Sequence, residues 1–209
     1  MILELRQYTL HPGARDVLIE LFDREFVEGQ EACGMTIFGQ FRDLDNPDRF
    51  VWLRGFATMP ARAEALARFY GGPVWKANAA AANATMIDSD DVLLLRPSTP
   101  RTGIPAPTRP RPPVGRTETP ESVYVATISY RDRPFDDAFL DQLRPAGVCL
   151  QTEYAENTFP ALPVRTGEHA LVRLARFATV DDADAIEEPD LGMRSERLRL
   201  APTARSLLR

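Results

Sequence analysis

The sequence predicts an α+β protein made of two units, each with the element order βαββαβ. Two observations carry this prediction: strand and helix patterns alternate in that order twice, and a proline-rich stretch separates the two series. Eight of the 18 prolines in the 209-residue chain fall between Pro97 and Pro120. Because proline disrupts helices and central strands, we predict domains at 1–97 and 122–209, joined by a linker at 98–121.

The first half carries a separate signal for each element. Apolar and polar residues alternate over the predicted strands, and apolar residues recur at helical spacing between them. Thr58 suits a helix N-cap, and Pro60 and Pro73 suit the first turn of a helix. The predicted elements are a strand at 2–10, a helix from 17 to 29, strands at 35–42 and 50–56, helices from Thr58 to Gly71 and from Pro73 to about Ile87, and a strand at 91–96.

The second half repeats this order in shorter form. Strands are predicted at 123–130, 147–155, 170–177 and 196–201, with short helices after Pro134 and from Thr179. The triplet Phe-Ala-Thr at 56–58 recurs at 177–179, in each case between a strand and a helix. We therefore predict a divergent tandem copy that lacks the Pro73 helix. In this alignment Tyr130 is equivalent to Tyr8. Ala126 and Ile128 are then equivalent to Glu4 and Arg6.

The strand at 50–56 has two apolar faces. One face carries Val51, Leu53 and Gly55, which we expect to lie under the helices. The other face, with Phe50, Trp52 and Phe56, is too apolar to be exposed, so we expect the second half to cover it. The two ferredoxin-like units then form a pseudo-dimeric α+β barrel within one chain. In the alternative arrangement, each half pairs with its counterpart in another chain.

The opening residues also carry a family resemblance. Residues 4–10 (ELRQYTL), followed by Pro12 and Gly13, resemble the start of the NIPSNAP domain. The Trp52 strand, the segment from Pro73 to Trp75 and the end of the last strand before Pro97 match later landmarks of that family. The resemblance implies the dimeric α+β barrel superfamily, which also holds cofactor-free monooxygenases, EthD-like proteins and haem-degrading enzymes. It implies a fold and not an activity, because one fold supports many functions.

A polar group on the first sheet is the candidate site. By strand periodicity, the polar side chains of the first strand face the same way as two residues of the third. One interpretation is a buried ion-pair network that fixes the register of the sheets. The other is a pocket in which arginine binds an anionic or enolate-like substrate and Tyr8 donates a hydrogen bond. Trp75 lines that pocket or anchors its helix. The candidate pocket residues are Glu4, Arg6, Tyr8, Trp52, Arg54 and Trp75.

Two functions are compatible with these residues. The first is a small-molecule-binding or scaffold barrel whose partner is a small apolar or aromatic ligand. The second is a cofactor-independent monooxygenase-like enzyme acting on an aromatic or quinol-type substrate, which needs only a cavity, a proton acceptor and donors that stabilise an anion. An enclosed pocket of several hundred Å³ near the candidate residues favours the enzyme, and a packed interior opposes it.

Composition and spacing predict several absences. His11, His169, Cys33 and Cys149 stand at no metal-ligand spacing, so no metal and no cofactor are predicted. The net charge of −5 argues against nucleic-acid binding.

The same features bear on cellular location. No apolar run is long enough to span a membrane, and charges within the first apolar stretch predict a cytoplasmic protein. All basic residues but Lys76 are arginines, a bias typical of GC-rich bacteria. Further homodimerisation of the barrel stays open.

Overall fold

The secondary structure follows the predicted order in both halves. A computed structural model describes residues 1–186 and 191–209. The first half contains β1 (Ile2–Leu10), α1 (Arg15–Leu21), a π-helical turn (Phe22–Phe26), α2 (Val27–Glu31), β2 (Thr36–Asp43), β3 (Arg49–Phe56), α3 (Met59–Tyr70), α4 (Pro73–Asn83) and β4 (Met86–Pro97). The second half contains β5 (Val123–Arg131), α5 (Asp137–Leu143), β6 (Val148–Thr152), β7 (His169–Phe177), α6 (Val180–Asp184) and β8 (Arg194–Pro202).

The strands join into one closed antiparallel barrel in the order β1-β3-β2-β8-β5-β7-β6-β4. Two seams connect the halves. At one seam β2 pairs with β8, with Phe41 opposite Pro202, and at the other β4 pairs with β6, with Leu95 opposite Thr152. The predicted α+β barrel fold is therefore confirmed, and the barrel closes within this single chain.

Capping residues in the sequence explain where helices begin in both halves. The Thr58 side chain accepts a hydrogen bond from the Ala61 amide and caps α3, as predicted. Thr179 caps α6 in the same way, within a reciprocal capping box with Asp182. The recurring triplet thus marks the same strand-to-helix turn in both halves.

The predicted end of the Pro73 helix is wrong. Helix α4 ends at Asn83, and β4 begins at Met86 rather than at residue 91. Backbone pairing of Met86 with Leu10 of β1 extends this strand through a polar stretch. Such pairing does not depend on side-chain alternation, which is why the pattern did not mark it.

The predicted assignment of the two faces of β3 is also wrong. Phe50, Trp52 and Phe56 pack under the helices of the first half, in a cluster that includes aromatic residues of those helices. Val51 and Leu53 point into the barrel and meet the second half. Inside the barrel, Val51 and Leu53 pack with aliphatic residues of both halves and with rings such as Phe41, whereas Trp52 packs with the rings of the helices.

Strand register corrects the alignment of the two halves. Ile2 pairs with Phe56, and Val123 pairs with Phe177, so the repeat offset is 121 residues along β1 and β5. Aligning Tyr130 with Tyr8 is therefore one residue out of register, and a shift of one residue exchanges the faces of a strand. The equivalents of Glu4, Arg6 and Tyr8 are Val125, Thr127 and Ser129.

The proline-rich linker lies against the barrel. Ser98, Thr102 and Ile104 are buried at its start. The Cys149 amide donates to the Thr102 carbonyl oxygen, which ties the linker to β6. Further along, the Arg111 guanidinium donates to the Ile37 carbonyl oxygen of β2.

Candidate functional site

A buried charge cluster lies between the sheet and the helices of the first half. Glu4 on β1 is the cross-strand neighbour of Arg54 on β3. Its Oε2 accepts from Arg6 Nη1 at 2.8 Å and from Arg54 Nε at 2.8 Å. Its Oε1 accepts from Arg62 Nε of α3 at 2.6 Å. One carboxylate therefore serves three guanidinium groups, all with side chains no more than 1% exposed.

The cluster keeps an excess of buried positive charge. Three guanidinium groups share one carboxylate, so the cluster carries a net charge of two positive charges. Burial alone raises the pKa of Glu4, but the charges of the three arginines outweigh it and hold that pKa well below its usual range. Glu4 is thus ionised at neutral pH and cannot serve as a general base.

The sequence prediction missed Arg62, although a signal for it was present. Arg62 lies one helical turn from Ala65 and Leu66 on the buried stripe of α3. A charged residue at a core position of an amphipathic helix needs a buried partner, because an unpaired buried charge is costly.

Tyr8 is joined to this charge cluster by a hydrogen bond from Arg6. Arg6 Nε donates to Tyr8 Oη at 3.1 Å. Burial raises the pKa of Tyr8, although the Arg6 charge opposes that shift, so the phenol keeps its proton at neutral pH. The Tyr8 ring packs edge-to-face on Trp52, with ring centroids 5.8 Å apart. The Arg6 and Arg54 guanidinium groups lie 5.4 and 5.0 Å from the centre of the same indole.

A small cavity adjoins this group. Its volume is about 30 Å³, and most of its wall is aromatic. Trp75 closes one side, with its ring centroid 4.8 Å from that of Tyr70. Such a volume holds one or two water molecules, since one water needs roughly 10–15 Å³. The lining residues are Tyr8, Leu18, Phe22, Phe26, Gln30, Trp52, Phe69, Tyr70, Trp75, Ala82 and Met86.

Gln30, Tyr8, Tyr70 and Trp52 bring polar groups to the cavity wall. Gln30 Oε1 accepts from Arg54 Nη1 at 3.0 Å, which joins the amide to the arginine cluster. Tyr8 Oη already accepts from Arg6, so its own O–H is directed elsewhere. Trp52 Nε1 is buried and has no hydrogen-bond partner among the described residues.

A segment of the second half covers the site. Residues 153–168, here called the covering segment, run from β6 to β7 without regular secondary structure. Asn157 Oδ1 accepts from Arg62 Nη1 at 2.9 Å, and the Phe159 ring lies 6.2 Å from that of Tyr70. The Arg165 amide donates to the Val92 carbonyl oxygen of β4.

A cleft of about 440 Å³ lies on the outer side of this segment. Asn157 and Leu94 form part of its wall. Its rim carries three carboxylates, of which Glu168 is paired with Arg165 and Arg194. Asn157 therefore both bonds to Arg62 of the buried arginine cluster and lines the cleft.

Comparison with known families identifies the first half. Residues 3–100 match the NIPSNAP family model. Residues 3–100 form a NIPSNAP domain. A NIPSNAP family protein from Agrobacterium tumefaciens is 23% identical over 48% of this chain and 92% of its own, with a TM-score of 0.44. No curated protein matches the sequence.

Other solved structures resemble the whole chain in fold. A provisionally assigned monooxygenase from Fusobacterium nucleatum is 8% identical and aligns over 97% of this chain and 92% of its own, with a TM-score of 0.57. A second such protein, from Lactobacillus acidophilus, is 13% identical over 96% of this chain and 93% of its own, with a TM-score of 0.54. At these identities the similarity establishes the α+β barrel and no activity.

The predicted site residues lie together within the NIPSNAP domain. Glu4, Arg6, Tyr8, Trp52 and Arg54 share one face, as strand periodicity predicted, and Trp75 contacts the same aromatic layer from α4. That face meets the helices and not the second half's sheet, so the expected position between two sheets is wrong. The cavity is also far smaller than the several hundred Å³ that the enzyme hypothesis required.

The histidines and cysteines singled out in the sequence lie apart from this site. Within residues 1–186 and 191–209, no group of three His, Cys, Asp or Glu side chains is placed to hold a metal ion. His11 is exposed in a turn, and burial raises the pKa of the Cys149 thiol. The same described ranges contain no helix that is long and apolar enough to cross a membrane.

Proposed function

We propose that this protein binds a small molecule between the sheet and the helices of its NIPSNAP domain. The ligand has an aromatic or apolar body and an oxygen that accepts hydrogen bonds, such as a phenolate, enolate or carbonyl oxygen. One observation carries the proposal: the cavity wall combines aromatic rings with Trp52 Nε1, a buried donor that has no partner among the described residues, and the arginine cluster adjoins it with a net positive charge.

The unused donors define the oxygen of the ligand. A buried donor without a partner costs about 1–3 kcal/mol, and a ligand acceptor recovers that cost on binding. Trp52 Nε1 is the buried donor without a partner among the described residues, and Gln30 and Tyr8 line the same cavity. The arginines behind them favour an oxygen that carries full or partial negative charge.

Binding requires the cavity to enlarge. A ligand site of ordinary size measures roughly 300–1,000 Å³, whereas this cavity measures about 30 Å³. The covering segment has no regular secondary structure, and α4 begins directly after Gly71 and Gly72. We propose that movement of these two elements admits the ligand.

Binding is favoured over oxygenase chemistry. A cofactor-independent monooxygenase must remove a proton from its substrate unless the substrate enters as an anion. Within the described residues, no carboxylate or imidazole lines the cavity, and Glu4 is occupied by three arginines. The monooxygenase-like alternative would therefore need a substrate that is already ionised.

Tryptophan fluorescence tests the proposal directly, because Trp52 and Trp75, the chain's two tryptophans, both line the cavity. We expect 4-nitrophenolate to quench this fluorescence saturably. Trp52→Phe removes one donor and should weaken binding about tenfold, equivalent to about 1.4 kcal/mol. The smaller ring also leaves a void in the buried layer, so a lower melting temperature is expected and binding is measured well below it. Because this variant keeps only one tryptophan, its binding is measured by calorimetry rather than by fluorescence.

A matched control separates this effect from general loss of packing. Tyr124→Phe also removes a buried polar hydrogen, but in the barrel interior, and should bind 4-nitrophenolate like the unmodified protein. Absence of saturable quenching at millimolar probe, or equal affinity of Trp52→Phe, would contradict the proposed site.

We also propose a cytoplasmic bacterial protein whose second half arose by tandem duplication. The arginine-rich composition and the repeated order of elements support this. Val125 and Thr127 occupy the positions equivalent to Glu4 and Arg6, so the ligand site is confined to the first half. Nucleic-acid and membrane partners are not part of this proposal, and a further homodimer of barrels stays a prediction.

A further inference from the structure

We propose that Arg62 binds a ligand carboxylate, and that the Asn157 side chain occupies the position of that carboxylate in this structure. The inference rests on the proposed function, since it adds a carboxylate to the ligand described there. It also assigns a role to the second half, which supplies the group that the ligand displaces.

The first reason for this inference is that one donor nitrogen of Arg62 has no hydrogen-bond acceptor among the described residues. Its side chain is fully buried, and its Nε donates to Glu4 Oε1. Its Nη1 donates to Asn157 Oδ1, while its Nη2 is buried without a hydrogen-bond partner among the described residues. A guanidinium presents two parallel donors that match the two oxygens of a carboxylate. Asn157 accepts a hydrogen bond from Nη1 only and leaves Nη2 without an acceptor.

The charge of the cluster carries the second step. Glu4 is shared with Arg6 and Arg54, so it cannot neutralise Arg62 by itself. Asn157 brings a neutral oxygen to a buried positive charge. A carboxylate in its place would form charge-assisted hydrogen bonds, which are about twice as strong as neutral ones.

The position of Asn157 carries the third step. Asn157 is partly buried on the covering segment, where its Nδ2 donates to the Leu162 carbonyl oxygen. It also lines the outer cleft of about 440 Å³. Because Asn157 lines this cleft and bonds to Arg62, a carboxylate that enters by the cleft displaces the Asn157 side chain when the covering segment moves.

The surroundings narrow the ligand class. Glu153 and Glu156 on the rim of the cleft repel anions, which favours a ligand with a single negative charge over a polyanion. The cavity beside the cluster is lined mainly by aromatic rings, so once it enlarges as proposed above it suits an aromatic body. The inferred ligand is therefore an aromatic monocarboxylate that carries a second oxygen for the donors at Tyr8 and Trp52.

A pair of matched probes tests the inference on the full-length protein. 4-Hydroxyphenylacetate and 4-hydroxyphenylacetamide share the ring and the phenol oxygen and differ in the carboxylate. We expect the acid to bind at least tenfold more tightly than the amide, measured by tryptophan quenching and calorimetry. Equal affinities would overturn this inference and leave the proposed function intact, whereas absence of binding by both probes would contradict the proposed function as well.

Asn157→Asp provides the decisive variant. The new carboxylate should occupy Arg62 permanently, so the ratio of acid to amide affinity should fall close to one. We expect its melting temperature to stay close to that of the unmodified protein, because the new ion pair with Arg62 offsets the lost hydrogen bond from Nδ2 to the Leu162 carbonyl oxygen. Gln142→Glu makes the same change of charge at an exposed position on α5 and should retain the tenfold preference. A preference that survives in Asn157→Asp would mean that the acid binds elsewhere, and would overturn the inference.

Discussion

Replacement of Glu4 by glutamine should leave three buried guanidinium groups without a carboxylate. Glu4 contacts Arg6, Arg54 and Arg62 at 2.6–2.8 Å, and its side chain is 0% exposed. Removal of one member of a buried ion pair costs about 3–5 kcal/mol, because the remaining charge stays desolvated. At about 4 kcal/mol, the folding equilibrium would fall roughly a thousandfold. Urea unfolding at pH 7 measures this loss directly.

Glu64→Gln is the matched control. Glu64 is exposed on α3, two residues from Arg62, and the same substitution there should change the free energy of unfolding by less than about 0.5 kcal/mol. A loss below about 1 kcal/mol in Glu4→Gln would show that the arginines find other partners, and would refute the reasoning.

The effect of Glu4→Gln should also depend on pH. The arginines hold the pKa of Glu4 well below its usual range, against the effect of burial. Its contribution to stability is therefore complete above the unfolded pKa of about 4.3 and is lost as the pH falls towards the folded pKa. The difference between Glu4→Gln and the unmodified protein should stay constant above about pH 5 and shrink by up to about 1.4 kcal/mol per pH unit below 4. A difference that is unchanged between pH 5 and 3 would contradict the ionised state of Glu4.

Two further predictions concern the barrel. Deletion of residues 98–209 uncovers the aliphatic face that carries Leu5, Val51 and Leu53, so residues 1–97 should aggregate or self-associate. Native mass spectrometry and size-exclusion chromatography measure this, and a stable monomer would argue against intrachain closure as a requirement for folding. Cys149 is fully buried and its pKa is raised by burial, so iodoacetamide should modify Cys33 much faster in the folded protein. Peptide mass spectrometry gives the two rates, and comparable rates would contradict the burial of Cys149.

Strand periodicity was enough to predict which site residues lie together. Glu4, Arg6 and Tyr8 alternate along β1, and Arg54 and Trp52 alternate along β3. In an antiparallel pair, residues of one parity lie on one face whatever covers that face. The common face of these residues was therefore predictable, and the structure brings Glu4 within hydrogen-bond distance of Arg54.

Arg62 and Asn157 reach the site from elements that no local pattern connects to it. Arg62 comes from α3, and Asn157 comes from a segment of the second half 95 residues further along the chain. Their meeting depends on how the helices and the covering segment pack, which is a long-range property. A charged residue on the buried stripe of α3 was the only local indication.

The order of elements, the α+β class and the grouping of side chains on each strand follow from local sequence signals, because capping, proline effects and strand periodicity act over a few residues. The layer that each face of β3 meets became known from the assembled fold. Both faces are apolar, and what each face meets comes from distant parts of the chain: Val51 and Leu53 meet residues of the second half, and Trp52 meets the rings of the helices. Those partners are brought together by long-range packing, so alternation along one strand does not specify which of them a face meets.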